Sequence, residues 1–362
     1  MRNGKLSILF FLVITSLFAQ EESKDSLSVY LNSSVTVTAT KYQTELKKLP
    51  VTVNSINQNL MNTQISSNPN VGDYVRSLPG VSVGHGNRNI PPWIHMRGTG
   101  YFIGRTLYMV DELPLFEPRL CLAANPENLS NIEVILGPSS SLYGPNASGG
   151  ALNSSSKTGY DLQGVSIGQN FSSFGTYRPS IAIGKAFKNW DLYASFNMDD
   201  SKGYKNTDLE TGLYLYKNNL PSYLNYVAIE DEKYTNTYYY GSIGYRDDMN
   251  TFGVSANIHY FDEDKYGGKQ NSKSDGNRMI SSGKIYYSIP EVFKSTLRFG
   301  YQEIKTNSQS TKGLLKVSNS AINGRYIYTA IDAANSYVYD PTVSTLGVGE
   351  ISNIPIDLQN DI

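Results

Sequence analysis

The residues that come nearest to a chemical motif lie between Gly137 and Gly150, where Gly137-Pro138-Ser139 is followed by Tyr143-Gly144 and Gly149-Gly150. A phosphate-cradling loop closes with Lys-Ser/Thr after its last glycine, and no such pair follows Gly144. Ser139 lacks a flanking glycine of a nucleophile elbow, because Ser141 stands there. Gly98 and Gly100 lack the third glycine of a dinucleotide fingerprint, because Ile103 takes its place. The three histidines, His85, His95 and His259, have no metal-ligand spacing, and the single Cys121 excludes a cysteine-rich site. Acidic clusters at Glu230–Glu232 and Asp262–Asp264 sit in polar stretches and read as solvated faces rather than the paired carboxylates of a glycosidase. The expectation is a protein without catalytic residues, metal or cofactor.

Composition points the same way. Lys and Arg number 31 against 32 Asp and Glu, so no basic footprint for nucleic acid exists. Charged residues are 17%, while 28 of 362 residues are Tyr and 31 are Gly. A chain that is aromatic-rich, turn-rich and poor in charge favours strands over helices.

The N-terminus reads as an export signal over residues 1–19: Arg2 and Lys5, then the apolar Leu6–Phe18, then a small Ala19 before Gln20-Glu21-Glu22. A polar leader over residues 20–40 follows, ending in the alternating Val35-Thr36-Val37-Thr38-Ala39. Such a segment is suited to join another protein's sheet by strand addition.

A small mixed α/β unit is expected next, over residues 41–158. Leu49–Ile56 suggests its first strand. Asn68-Pro69 opens a helix, and Val71, Tyr74, Val75 and Leu78 form one apolar stripe. Pro79-Gly80 stops it before Val81-Ser82-Val83. Ile94–Gly98 and Leu107–Asp111 read as further strands, and Asn125-Pro126-Glu127 caps a short helix leading into Ile132–Leu136.

From Gln163 the period becomes two. Trp190, Leu192, Ala194, Phe196 and Met198 alternate with polar residues, as do Phe252, Val254, Ala256, Ile258 and Tyr260. Strands are expected at residues 163–171, 177–187, 190–199, 234–246, 251–262, 281–289 and 295–305, with an eighth over 324–330. Connections at Lys188-Asn189, Asp247–Asn250 and Pro290–Lys294 are short, whereas Asp200–Lys233 and Glu263–Ile280 are long and polar. Short turns at one end and long loops at the other suit a membrane barrel better than a soluble sandwich.

Four motifs in order carry a family resemblance: Leu78-Pro79-Gly80-Val81, Met96-Arg97-Gly98, Met109-Val110-Asp111, and Ile132-Glu133-Val134 with Gly137-Pro138, Tyr143-Gly144 and Gly149-Gly150. Together they resemble the plug domain of TonB-dependent outer-membrane receptors. The resemblance implies an α+β plug followed by antiparallel transmembrane strands over residues 159–362, with Arg97, Gly98, Asp111, Glu133 and the Gly137–Gly150 residues as plug structure. It implies a barrel of roughly 22 strands around the plug, so the strands found imply an incomplete barrel and the N-terminal part of a longer receptor. Two departures stand out. Glu112 replaces the family's glycine after Asp111, and Leu136 replaces the arginine before Gly137-Pro138 that pairs with barrel glutamates.

The resemblance implies energised uptake of a scarce ligand, a ferric siderophore or other iron complex, across the bacterial outer membrane. Val35–Ala39 would be the contact for TonB and its proton-gradient-driven inner-membrane complex. Outer-membrane lipid would surround the strands. His85, Asn87, Arg88, Trp93, Phe116 and Arg119, on the apical turns, would face the ligand, cations meeting an anionic chelate and aromatics stacking on it. The rival expectation is a secreted or periplasmic β-rich binding or adhesion protein without a transport role.

Overall fold

The computed structural model describes residues 36–37, 44–45, 52–63, 70–84, 93–98, 105–144, 146–203, 233–266, 273–289, 292–318, 327–329 and 335–361. The expected export signal, and Val35, Thr38, Ala39, His85, Asn87 and Arg88, lie outside these residues. Two short strands, β1 (Thr36–Val37) and β2 (Thr44–Glu45), pair antiparallel with each other.

The α+β part is built on a five-stranded mixed sheet. Its strands are β3 (Thr52–Asn57), β6 (Thr106–Val110), β7 (Leu113–Pro114), β8 (Leu129–Leu136) and β9 (Gly150–Ser156), in the order β3-β8-β9-β6-β7. β6 and β9 run parallel and the other pairs antiparallel. A hairpin of β4 (Val81–Gly84) and β5 (Trp93–Met96) stands apart. Short helices α1 (Gln58–Thr63) and α2 (Val71–Val75), two 3-10 turns (Pro118–Ala123 and Pro126–Asn128) and α3 (Ser140–Tyr143) fill the connections. All five residues of β6 and the last five of β8 are buried, because both faces of this sheet are covered. Val75, Leu120, Leu129, Ile132 and Val134 are among the residues that form its core.

The remaining strands form one wall. β10 (Gly164–Ser172), β11 (Thr176–Ala186), β12 (Trp190–Ser201), β13 (Tyr234–Arg246), β14 (Phe252–Tyr266), β15 (Lys273–Ile289), β16 (Phe293–Ser318), β17 (Ile327–Thr329), β18 (Asn335–Asn353) and β19 (Ile356–Asp361) make a ten-stranded sheet that does not close on itself. Every pairing in it is antiparallel.

The alternation in the wall is inverted relative to a soluble sheet. On β12, Trp190, Leu192 and Ala194 are exposed, while Asp191, Tyr193, Asn197, Asp199 and Ser201 are buried. On β14, Phe252, Val254, Ala256 and Ile258 are exposed, while His259 and Glu263 are buried. The buried polar row faces the α+β part. A soluble sandwich would bury the apolar row, so this polarity is that of a sheet facing lipid outside and a polar lumen inside.

Three expectations need correction. Asn70, not Asn68, caps α2: its side chain accepts from the Asp73 amide at 3.2 Å while Asp73 accepts from the Asn70 amide at 3.2 Å, a reciprocal capping box. The polar stretch 263–280 is largely strand, since β14 runs to Tyr266 and β15 begins at Lys273. Past Tyr260 the outward residue is Asp262, so the apolar signal stops while the hydrogen-bonded ladder continues. The expected strand count is also short, because β18 and β19 carry no clean apolar alternation; β17, described over 327–329, falls within the expected 324–330.

Candidate functional site

The richest polar geometry lies where the α+β part meets the wall, at the two-residue turn between β6 and β7. Val110 pairs with Leu113 across it. Asp111 and Glu112 both have positive φ, 51° and 68°. A two-residue hairpin with both central residues left-handed is a type I′ turn, which explains why glycine suits its second position. Glu112 holds that conformation against a cost of about 1–3 kcal/mol, tolerated only where surroundings over-determine it.

Those surroundings are visible. The Glu112 amide donates to Asn153 Oδ1 at 2.9 Å. The Ser156 amide and hydroxyl donate to Asp111 Oδ1 and Oδ2 at 2.8 and 2.7 Å. From the wall, Asn257 Nδ2 donates to Asp111 Oδ2 at 2.8 Å. Lys284 Nζ lies 3.4 Å from Glu112 Oε1, and Arg298 Nη2 pairs with Glu112 Oε2. Arg298 Nη1 is also 3.6 Å from Asp357 Oδ2. Burial opposes ionisation of Asp111, but the hydrogen bond and charge of His259 and the hydrogen bonds from Ser156 outweigh it and hold the carboxyl below its ordinary range. A cavity of about 220 Å³ adjoins the turn, lined by Asp111, Glu112, Asn257, Lys284 and Arg298 among others.

Serine, histidine and aspartate meet here without forming a catalytic triad. Ser156 Oγ lies 2.8 Å from His259 Nε2, and Asp111 Oδ2 lies 3.9 Å from that same nitrogen. In a triad the carboxylate holds the opposite ring nitrogen and the serine gives its proton to histidine. Here the Ser156 hydroxyl donates its hydrogen bond to Asp111, so Nε2 is the donor to the serine oxygen. Nδ1 has no hydrogen-bond partner among the described residues, and the ring stacks on Tyr240 with centroids 4.4 Å apart. The arrangement fastens strands together and does not activate a nucleophile.

Other contacts extend the seat. Gln302 Nε2 donates to the Pro114 carbonyl at 2.9 Å and its Oε1 accepts from the Phe116 amide at 3.1 Å. Tyr240 donates to the Lys157 carbonyl at 2.5 Å, and Ser195 donates to Asn128 Oδ1 at 2.6 Å. Phe261, Ile280 and Ile304 break the wall's polar inner row and pack into the same core as Leu120 and Cys121. Burial pushes the Cys121 thiol up to about 12.

The residues expected from sequence fall in several places. Thr36 and Val37 form β1 and pair with Glu45 and Thr44. Trp93 is exposed at the start of β5. Phe116 is half-buried against the core, and Arg119 Nε lies 3.3 Å from Glu117 Oε1 on the neighbouring 3-10 turn. Arg97 (φ 50°) and Gly98 (φ 70°) make the turn after β5, with the Arg97 amide donating to Gly80 O at 2.8 Å. Glu133 is buried on β8 and accepts from Asn131 Nδ2 at 3.2 Å. Gly137 (φ 115°) lies under the Arg97 guanidinium, where a Cβ would stand 2.8 Å from Nη1. Gly150 (φ 148°) starts β9, where a Cβ would stand 2.3 Å from the Ile135 carbonyl and from Met96 Sδ. Pro138 is exposed, Tyr143 packs on the smaller core cluster, Gly144 ends α3, and the Gly149 amide donates to Arg105 O at 2.7 Å. Leu136 is buried in the sheet's own core, 3.9 Å from the Cβ position of Gly80. Ser156, Asn257, His259, Lys284, Arg298 and Gln302 were not singled out from sequence. The one available signal was Glu112 at a position whose backbone wants glycine.

Comparison with known proteins agrees with this architecture. The TonB-dependent Receptor Plug Domain family matches residues 45–151. The vitamin B12 transporter BtuB of Vibrio vulnificus (strain CMCP6) is 24% identical over 354 residues, covering 94% of this chain and 53% of that protein. The chain therefore spans about half the length of this curated relative. The open form of the ferric-catecholate import receptor Fiu from E. coli K12 superposes with a TM-score of 0.61 at 12% identity, over 88% of this chain and 47% of that one. The ferripyoverdine receptor of Pseudomonas aeruginosa superposes with a TM-score of 0.60 at 14% identity, over 90% of this chain and 42% of that one. These relatives are receptors and transporters, and the family belongs to the bacterial outer membrane. With its plug sheet seated against an inside-out antiparallel wall, the chain carries the plug domain of TonB-dependent receptors over residues 45–151 and shares their fold.

Proposed function

We propose that this chain is the plug and the first barrel strands of an outer-membrane transporter that takes up a scarce, bulky ligand, a ferric siderophore or another iron complex. The observation that carries the reading is the fit between the two parts. A plug with a conventional apolar core is fastened by polar contacts, and by Phe261, Ile280 and Ile304, to a wall whose other inner residues are largely polar and whose exposed face is apolar. The division into a leader over residues 20–40, a plug over 41–158 and barrel strands over 159–362, after a cleaved signal over 1–19, belongs to this proposal. So does insertion into the lipid of the bacterial outer membrane.

Ligand would be met by the plug's apical residues. The exposed Trp93 offers a stacking face, while Phe116 is held in place by Gln302. Arg119 is shared with Glu117, so it offers an anionic chelate a partly compensated charge; His85, Asn87 and Arg88 complete the set. TonB would engage the Val35–Ala39 segment by strand addition, which requires an available edge on β1 beside its present partner β2. Deleting Val35–Ala39 in the receptor gene should abolish uptake while ligand still binds at the cell surface. Unimpaired uptake would remove the TonB assignment.

Cobalamin is a second reading, favoured by the similarity to a vitamin B12 transporter over 94% of the chain. Growth of a receptor-deficient strain on single iron chelates or on cobalamin separates the two.

A further inference from the structure

We propose that Glu112 is a positioning residue that seats the plug on the barrel wall, and that it stands in a left-handed turn because its carboxylate is needed there more than a relaxed backbone. The turn reaches three adjacent strands at once. Asp111 takes a neutral contact from Asn257 on β14, and Glu112 takes cationic contacts from Lys284 on β15 and Arg298 on β16. Arg298 is only 5% exposed and shares its other nitrogen with Asp357 on β19. Glu112 of the plug therefore meets both bases of the wall, and Asp357 shares one of them.

The backbone and the charges ask for different residues at this position. Glycine would relieve φ 68° but would take from the buried Arg298 guanidinium its carboxylate on the plug side. Removing one partner of a buried pair costs more than the pair contributes, because the remaining charge stays out of water. Nor is the turn held by its own sheet alone: Asn153 and Ser156 of β9 fix its amide and carboxylate from the plug side. That leaves the Glu112 carboxylate free of plug duties and directed to the wall.

The inference rests on the plug-in-barrel reading but not on ligand or TonB, so the test reads plug seating without uptake. Cys121, the chain's one cysteine, lies in the core that the plug shares with Phe261, Ile280 and Ile304 of the wall. Its reaction with a maleimide in outer membranes, read by mass spectrometry of its peptide, reports how often the plug lifts from the wall. Glu112→Gly and Glu112→Gln should each label at least about tenfold faster than the parent receptor. Glu112→Gln with Arg298→Gln should label no faster than Glu112→Gln alone, because the guanidinium that lost its plug carboxylate is then gone. Folded barrel in each variant is confirmed by its heat-dependent gel migration. If Glu112→Gly does not assemble, the Gln variants carry the comparison. A Glu112→Gly or Glu112→Gln receptor that labels at or below the parental rate overturns the proposal, since a purely conformational role for this position makes glycine the better residue.

Discussion

The plug and the wall obey opposite rules with the same alphabet. In the plug, Val75, Leu120, Leu129 and Ile132 are essentially inaccessible. In the wall, Ile181, Ile183, Ile243 and Ile258 are exposed while Arg178, Asp191, Asn197 and Glu263 are buried. The plug is a domain folded for water on its outside. The wall is folded for water on its inside, where the plug and its polar contacts take water's place. A single chain thus carries two solvents' worth of pattern, and the seam between them is largely hydrogen-bonded, with one apolar contact at Phe261, Ile280 and Ile304.

This contrast can be broken in order of expected effect. Leu120→Ala in the plug core should destabilise the plug by about 2–5 kcal/mol, read as a lower urea midpoint for protection of Cys121. Ile258→Arg on the outward face should cost barrel insertion about 2–4 kcal/mol, read as loss of the heat-modifiable folded form; in a water-facing sheet the same change would be nearly silent. Asn257→Ala removes one wall donor from Asp111 and should loosen the seat by about 1–3 kcal/mol, read as faster thiol labelling with the barrel intact. The smallest effect is that of pH. Asp111 is held below its ordinary range, so its contribution is fully present above the unfolded carboxylate value of about 4 and is lost as pH falls through the lower folded value. Plug protection should be flat from neutrality to mildly acid pH and fall only below that window, by less than Asn257→Ala because a protonated Asp111 still accepts hydrogen bonds. A fall already present well above pH 4 would assign the seat to another group.

Much of this was legible in the residues, and the illegible remainder has physical causes. The α2 stripe, the Asn125 cap and the Ile132–Leu136 strand were readable because each is a local pattern with its own period. The wall was readable wherever its exposed face is apolar, as on Trp190–Met198. It became unreadable where both faces turn polar, so β14 and β15 were cut short and β18 missed. The plug–wall seat was hidden for a different reason. Asp111 and Asn257 are 146 positions apart, and Glu112 and Arg298 are 186 apart, so no local pattern links them. Leu136 shows the converse: it belongs to the plug's own core, and the charge contact with the wall is made from Glu112 instead.

The pairing of β1 with β2 bears on timing. A periplasmic partner that adds a strand must first meet an extended peptide, and each residue fixed from coil costs about 1–2 kcal/mol of entropy. Thr36 and Val37 are already extended against Thr44 and Glu45, so part of that ordering precedes contact. With only two residues in register, the hairpin can also come undone readily. Under the proposed function, the first event in uptake would be an exchange of edges rather than the folding of a tail, and its rate would follow how often this small hairpin opens.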